Sequence, residues 1–518
     1  MTRVSRVKKS LLNVKVNFIC YFVSLFVSFI TRKILLEKLG TDFIGLSTTL
    51  QSILGFLNLA ELGVGGAISY VLYRPIFEEN KSKINEIISV LGYLYRILGF
   101  IILGGGFLIS MFIPLIFYGS GFELWLIFMG FYAYLFSSLL GYFANYKQTL
   151  LSADQREYEI TGYFQAVTTT KVISQMLFAI YSSSIVLYFI IEIVFGIMYS
   201  IILNYRIKKV YPWLKSEVRL GKNLFKKYPE IATYIKQLFV QKISFFMQFQ
   251  ISPLLIYSFV SLPIVALYGN YTILSSKLQA LAITVLNSAS SGIGNLISER
   301  DSTKTYNVYS ELFSLRFYFA SLISIYIYFL LPPLITVWLG SEYLLPNVIL
   351  LLAIGVFLVL LRGCTDSFLN GFGLFYDVWA PIVESLLIII FSIVGGFMFK
   401  LEGILLGPII ATIIIIHIWK PYFLFNKGFK MPVIKYWGMF IKHFILFFSV
   451  SIASYIVYRN YNIFSLLASS WHTLIIGSMI IALIESTLLL CLFYMFSSGF
   501  RRFVGRFIKL DFLNKFTI

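Results

Sequence analysis

The sequence predicts an all-α integral membrane protein of about 14 transmembrane helices. They form two six-helix lobes in a pseudo-twofold repeat, with two additional C-terminal helices. Three observations predict this. Hydrophobic residues make up 59% of the 518 and charged residues only 13%, where ordinary soluble domains carry about 25% charge. Apolar runs long enough to cross a bilayer core recur from end to end. Segments of the two halves also align at a nearly constant offset.

The spans follow in order. The first, 11–36, continues into Arg32 and Lys33 with no small-residue cleavage site, so it reads as a retained helix and not a leader. The second, 43–73, carries a single charge, Glu61. Spans 87–117, 122–150, 160–181 and 184–205 complete an N-terminal lobe, 1–205. A basic linker follows at 206–230, with Arg206, Lys208, Lys209, Lys215, Arg219, Lys222, Lys226 and Lys227 in its first 22 residues. The second lobe, 231–425, holds spans 231–257, 263–298, 309–338, 344–370, 378–399 and 402–425. Two additional helices, 433–458 and 470–498, and a basic tail occupy 426–518.

Loop charge sets the expected orientation. Arg3, Arg6, Lys8 and Lys9 open the chain; Arg501, Arg502, Arg506, Lys509 and Lys515 close it. The alternate connections 118–121, 181–184, 258–262 and 340–346 hold no Lys or Arg. Both termini are therefore expected in the cytoplasm. The net charge of +19 sits in these loops, which argues against nucleic acid as a partner. Cys20, Cys364 and Cys491 lie within apolar spans at no metal or redox spacing. No cofactor and no metal site is expected, and the isolated His417, His443 and His472 receive no role.

The repeat rests on three places. QTLLSADQREYEITGYFQAV from Gln148 aligns without gaps on DSFLNGFGLFYDVWAPIVES from Asp366, so that Leu151 meets Leu369, Tyr158 meets Tyr376 and Glu159 meets Asp377. Arg96 meets Arg316, and Ile44-Gly45-Leu46 meets Val265-Ala266-Leu267. Repeats of this kind commonly place a binding site between the halves.

Polar residues at helical spacing point to where such a site lies. The first span carries Asn13, Asn17, Tyr21, Ser24, Ser28 and Arg32; the second carries Thr48, Gln51, Asn58, Glu61, Gly65 and Ser69. The seventh carries Gln237, Gln241, Ser244, Gln248 and Ser252; the eighth carries Ser276, Gln279, Thr284, Asn287, Ser291, Asn295 and Ser298. A helix facing only lipid has no reason to keep such a stripe, because each unpaired polar group costs energy in hydrocarbon. Small residues such as Ser24, Ser28, Gly55 and Gly65 taken alone read more readily as close-packing positions. The row of bulky amides does not. A hydrated cavity lined by these four helices is the expectation, with Asn17, Ser24, Arg32, Gln51, Asn58, Glu61, Gln241, Lys242, Gln248, Asn287, Arg96 and Arg316 as candidate substrate-binding residues. Arg96 and Arg316 read alternatively as snorkelling toward the interface. Glu61 and Asp366 are the candidates for ion coupling; Arg362, four residues before Asp366, is a candidate neutralising partner. Basic groups in such a cavity suit a phosphate or diphosphate.

The stretch LGTDFIGLSTTLQSILGFLNLAELGVGGAISYVLYRPIFEENKSKINEII closely resembles the second-span region of bacterial polysaccharide flippases, the Wzx-type O-antigen and capsule exporters of the MATE-like MOP superfamily. LLSADQREYEI is similar to that family's connection after span four. The resemblance implies a flippase that moves an undecaprenyl-diphosphate-linked oligosaccharide across the bacterial plasma membrane by alternating access. It also implies a cationic cavity, with Lys242, Arg32 and Glu61 as the matching candidates, and a polymerase and glycosyltransferases as functional partners. A lipid II-type flippase and a cation-coupled MATE-like exporter remain alternatives. A membrane glycosyltransferase or polymerase is disfavoured: no paired-acid metal motif and no large outer loop is present.

Overall fold

The computed structural model describes residues 6–507, except 62, 289–291 and 375–376. The elements of the described residues are all helical. Helix α1 covers 6–39 and ends at Gly40, whose φ of +84° leaves the helical region; α2 resumes over 41–57. A 3-10 turn, Asn58–Glu61, and Gly63 at φ +96° separate α2 from α3, Val64–Phe77. α4, Lys81–Ile116, starts where the Asn80 side chain accepts from the Lys83 amide, satisfying one of the orphan donors of a helix start. α5 (Leu124–Phe143), a short helix Gln148–Ala153, α6 (Glu157–Ser182) and α7 (Ile185–Val210) follow.

α8 is Pro229–Phe259 and α9 is Leu262–Ser288. α10, Ser302–Trp338, is capped by Asp301, and α11 is Pro346–Gly371. α12 (379–399) and α13 (401–429) are divided at Lys400, φ +49°. α14 (Ile434–Asn460), α15 (Trp471–Phe496) with a Ser470–Thr473 capping box, and a tail helix α16 (Ser498–Phe507) complete the chain.

Helices occupy most of every span read from the sequence, with the second interrupted at Asn58–Glu61 and residues 62 and 289–291 outside the described residues. Among the described residues, nine helical stretches are long and apolar enough to cross a membrane on length and composition. Two of them, Lys15–Leu57 and Trp379–Phe429, contain the kinks at Gly40 and Lys400 and each covers more than one span. α6, α8 and α9 are not among the nine. Lys171, Gln237, Gln279 and other polar residues dilute their apolarity, and α8 and α9 are helices to which the sequence assigns polar stripes. The protein is an all-α, multi-pass membrane protein.

The chain divides into two compact units, Met1–Ala266 and Leu267–Ile518. In the first, α6 packs on α1, α5 packs on α4 and α7, and α8 packs along the α1–α2 run and α3. The reading from sequence starts a second lobe at 231; here α8 groups with the first unit. Small residues explain how close it comes. A Cβ on Gly63 would lie 2.9 Å from the Ile235 carbonyl oxygen, and one on Gly55 would lie 2.6 Å from the Gln250 side-chain oxygen. In membranes such gaps let helices gain van der Waals contact that lipid otherwise supplies.

The basic linker is itself folded. Its first residues extend α7 to Val210, and a 3-10 turn at Val218–Leu220 leads into a helix, Gly221–Lys227. It is fastened to the start of α4. Asn85 accepts from the Lys215 amide at 3.0 Å and Ser89 from the Glu217 amide at 2.9 Å. Glu86 pairs with Lys227 at 2.7 Å and accepts from Tyr228 at 2.6 Å.

In the second unit α10 is the central helix, packed by α11, α14, α15 and α16. Tyr309, Phe313, Phe317 and Trp338 are among its buried side chains. α12 and α13 cross at paired glycines: a Cβ on Gly403 would lie 1.9 Å from the Gly395 carbonyl oxygen, and one on Gly395 would lie 2.3 Å from that of Gly403. Backbone cannot retreat as a side-chain tip can. Gly403→Val is therefore expected to cost at least about 3 kcal/mol through overpacking, read as a lowered thermal unfolding midpoint. An unchanged midpoint contradicts the crossing.

Candidate functional site

The break in the second span builds the most developed polar site. Leaving the α-helix at Asn58–Glu61 turns Asn58 and Glu61 toward α4 and α5. Tyr95 of α4 donates to Glu61 Oε1 at 2.7 Å, and Tyr142 of α5 donates to Oε2 at 2.7 Å. The Tyr142 hydroxyl also lies 3.1 Å from Asn58 Oδ1, which accepts from Ser138 at 2.9 Å. The two tyrosine rings sit 5.6 Å apart, centroid to centroid. Charge-assisted bonds of this kind are roughly twice as strong as neutral ones, so two phenols and the broken helix hold the carboxylate in one place.

Toward the other end of α2 the pattern repeats with neutral groups. Gln51 donates to Ser47 Oγ and to Tyr134 Oη, each at 3.2 Å, and the Ser47 and Tyr134 hydroxyls are 2.6 Å apart. Tyr134, Ser138 and Tyr142 are spaced at i, i+4 and i+8 on α5, and so face α2 as one row. Sequence reasoning missed this row and Tyr95. The four-residue spacing within an apolar span was the available signal.

The other candidates fall in several settings. Arg32 is half-buried and donates to the Ala266 carbonyl at 2.7 Å. Ser24 is half-buried, and Asn17 and Arg96 are exposed. The side chains of Gln241, Lys242 and Gln248 lie outside the described residues. In the second unit Arg316 and Asn287 do meet: Arg316 Nη2 donates to Asn287 Oδ1 at 2.9 Å. The same guanidinium reaches the carbonyls of Leu286 and Leu360, each at 3.4 Å, and the residue is 2% exposed. Arg316 thus bridges α9, α10 and α11, whereas Arg96, its partner in the repeat alignment, is exposed.

Asp366 sits in a charged network. Arg362 Nε lies 2.9 Å from Asp366 Oδ2, and Lys420 Nζ of α13 lies 2.6 Å from Oδ1. Arg362 also pairs with Glu384 of α12 at 3.1 Å, and Glu384 is fully buried. Two cations and two anions thus tie α11, α12 and α13 together. The i, i+4 pairing of Arg362 and Asp366 was readable; Lys420 and Glu384 come from helices that sequence spacing cannot relate. A comparable pair in the first unit, Lys171–Glu192 at 2.8 Å, joins α6 to α7 beside a cavity of about 270 Å³ whose lining includes Asn145, Gln148 and Tyr199.

Fold and site together describe a multi-pass helical membrane protein that keeps carboxylates and amides inside its bundles. Two solved structures have a similar fold. A lipid II flippase MurJ in an inward-closed conformation matches with a TM-score of 0.66 at 15% identity, over 94% of this chain and 99% of that one. An inward-facing multidrug-resistance MATE family transporter of the MOP superfamily matches with a TM-score of 0.58 at 13% identity, over 80% and 98%. No protein-family model and no curated protein sequence matches.

Proposed function

We propose that this protein is a flippase for an undecaprenyl-diphosphate-linked oligosaccharide, working by alternating access in the bacterial plasma membrane with both termini cytoplasmic. A sugar head is too polar to cross hydrocarbon unaided; a polar path shields it while the lipid tail remains in an apolar setting. The observation that carries the reading is the extent of the structural likeness. It runs over 94% of the chain for the flippase but 80% for the drug transporter, a shortfall about the size of the two additional C-terminal helices.

One of those helices supports the reading further. Phe440, Phe444, Phe447 and Tyr455 of α14, with Ile325 of α10 and Leu350 of α11, line an apolar cavity of about 600 Å³. That suits a long hydrocarbon chain and has no use for a compact cation. In the first unit, Asn58, Glu61 and Gln51 are the groups proposed to meet the sugar. Asn17, Ser24, Arg32, Gln241, Lys242, Gln248, Asn287 and Arg96 remain proposed contributors, and Arg316 is proposed to hold Asn287 in place. Glu61 is the better candidate for ion coupling, because Asp366 is already neutralised by two cations. A polymerase and glycosyltransferases are the proposed functional partners.

The test is retention of ligand by the purified protein in native mass spectrometry. Undecaprenyl diphosphate bearing a saccharide is expected to be retained at least about tenfold better than a cationic dye. Preferential retention of the dye overturns the reading and favours a cation-coupled exporter.

A further inference from the structure

The tail helix α16 carries three arginines but is held by one acid. Arg506 Nη2 lies 3.0 Å and Arg502 Nε 3.6 Å from Glu311 Oε1 of α10. The Glu311 side chain is 3% exposed, whereas those of Arg502 and Arg506 are 44% and 55% exposed. Arg501 folds back onto the last carbonyls of α15, reaching Tyr494 at 3.1 Å and Met495 at 2.7 Å. One carboxylate thus neutralises a fraction of the local charge.

The helix is also rigidly seated. Ser497 caps it by accepting from the Phe500 amide at 3.2 Å, and its hydroxyl lies 2.9 Å from His443 Nε2 of α14. A Cβ on Gly499 would lie 2.4 Å from the Ser310 carbonyl oxygen, so α16 lies directly against α10. Phe500 is buried against Tyr318 and Phe493. The backbone that carries these arginines is therefore held in place against α10.

Connectivity sets the depth. α14 and α15 are joined through 461–470, so the start of α14 and the end of α15 lie at one end of the pair. Lys435, the second residue of α14, is exposed with its Nζ 5.5 Å above the Tyr306 ring. Lys427 and Lys430, at the close of α13, are exposed in the chain just before α14 begins. Trp437 and Tyr494 mark this end as an interface, where aromatic rings collect at headgroup level. The opposite connection, 461–470, contains no Lys or Arg.

We propose that α16 and the first turn of α14 form a docking surface for the phosphate headgroups of anionic phospholipids. The recognition is by charge and position: fixed guanidinium groups and Lys435 at headgroup depth, on an element whose apolar side is already covered. Basic side chains near an anionic leaflet each contribute about fivefold to binding.

The full-length protein, purified in detergent, is mixed with equimolar phosphatidylglycerol and phosphatidylcholine, and the retained lipid is read by native mass spectrometry. The wild type is expected to retain phosphatidylglycerol at least about tenfold over phosphatidylcholine. Lys435→Gln with Arg501→Gln, neither of which touches Glu311, is expected to bring that ratio near parity. Lys400→Gln, at the distant α12–α13 kink, is expected to leave it unchanged. Should the double variant fail to fold, the exposed Lys435→Gln alone is expected to lower the ratio about fivefold. Equal retention by the wild type, an unchanged ratio in the folded variants, the same loss in Lys400→Gln, or displacement of the lipid by equimolar inorganic phosphate would each overturn the proposal.

Discussion

Glu61→Ala is expected to reduce transport of the lipid-linked substrate at least about tenfold in reconstituted vesicles. It removes the acceptor shared by Tyr95 and Tyr142. The loss of one charge-assisted bond is typically about 1.5–3 kcal/mol, and a tenfold change in rate needs only about 1.4 kcal/mol. Tyr95 is 5% exposed, so its hydroxyl also loses its recorded carboxylate acceptor in a buried setting. Glu61→Gln separates geometry from charge. It keeps one acceptor oxygen at the Asn58–Glu61 break, so transport near the wild-type level assigns Glu61 a positioning role. Loss equal to that of alanine assigns it a role that needs the negative charge. Wild-type transport in Glu61→Ala itself removes Glu61 from the mechanism.

Arg362→Ala is expected to lower folding stability by about 3–5 kcal/mol, because it strands the fully buried Glu384 without its cation. The companion variant Arg362→Met with Glu384→Leu deletes both charges and leaves Asp366 to Lys420 at 2.6 Å. It is expected to recover most of the loss, since replacing a buried pair by apolar groups is often neutral or stabilising. Thermal unfolding of the wild type, Arg362→Met, Glu384→Leu and the double variant measures the coupling. Additive effects contradict the pair as a unit.

The fold was largely legible because membrane helices announce themselves by length and apolarity, a constraint that follows from the need to satisfy every backbone group inside hydrocarbon. The kinks at Gly40 and Lys400 fall in the short charged stretches that separate consecutive spans. The 3-10 break at Asn58–Glu61 lies inside the second span and was not legible. The candidate site was half legible. Asn58, Glu61 and Gln51 stood out as polar groups in an apolar run. Their partners Tyr95, Tyr134 and Tyr142 did not, since tyrosine is abundant here, at 35 residues, and reads first as apolar bulk or interfacial belt. Arg316 stood out as a charge within a span, but its partners did not: its guanidinium is directed to Asn287 and to carbonyls of neighbouring helices, which spacing along one helix cannot reveal.

The most direct measurement uses liposomes that contain an undecaprenyl-diphosphate saccharide bearing a fluorophore on the sugar, bleached from outside by an impermeant reductant. Addition of the protein is expected to extend bleaching from the outer-leaflet population to nearly all of the fluorophore, and Glu61→Ala is expected to slow that second phase. Bleaching that stops at the outer leaflet, as in protein-free vesicles, contradicts a flippase.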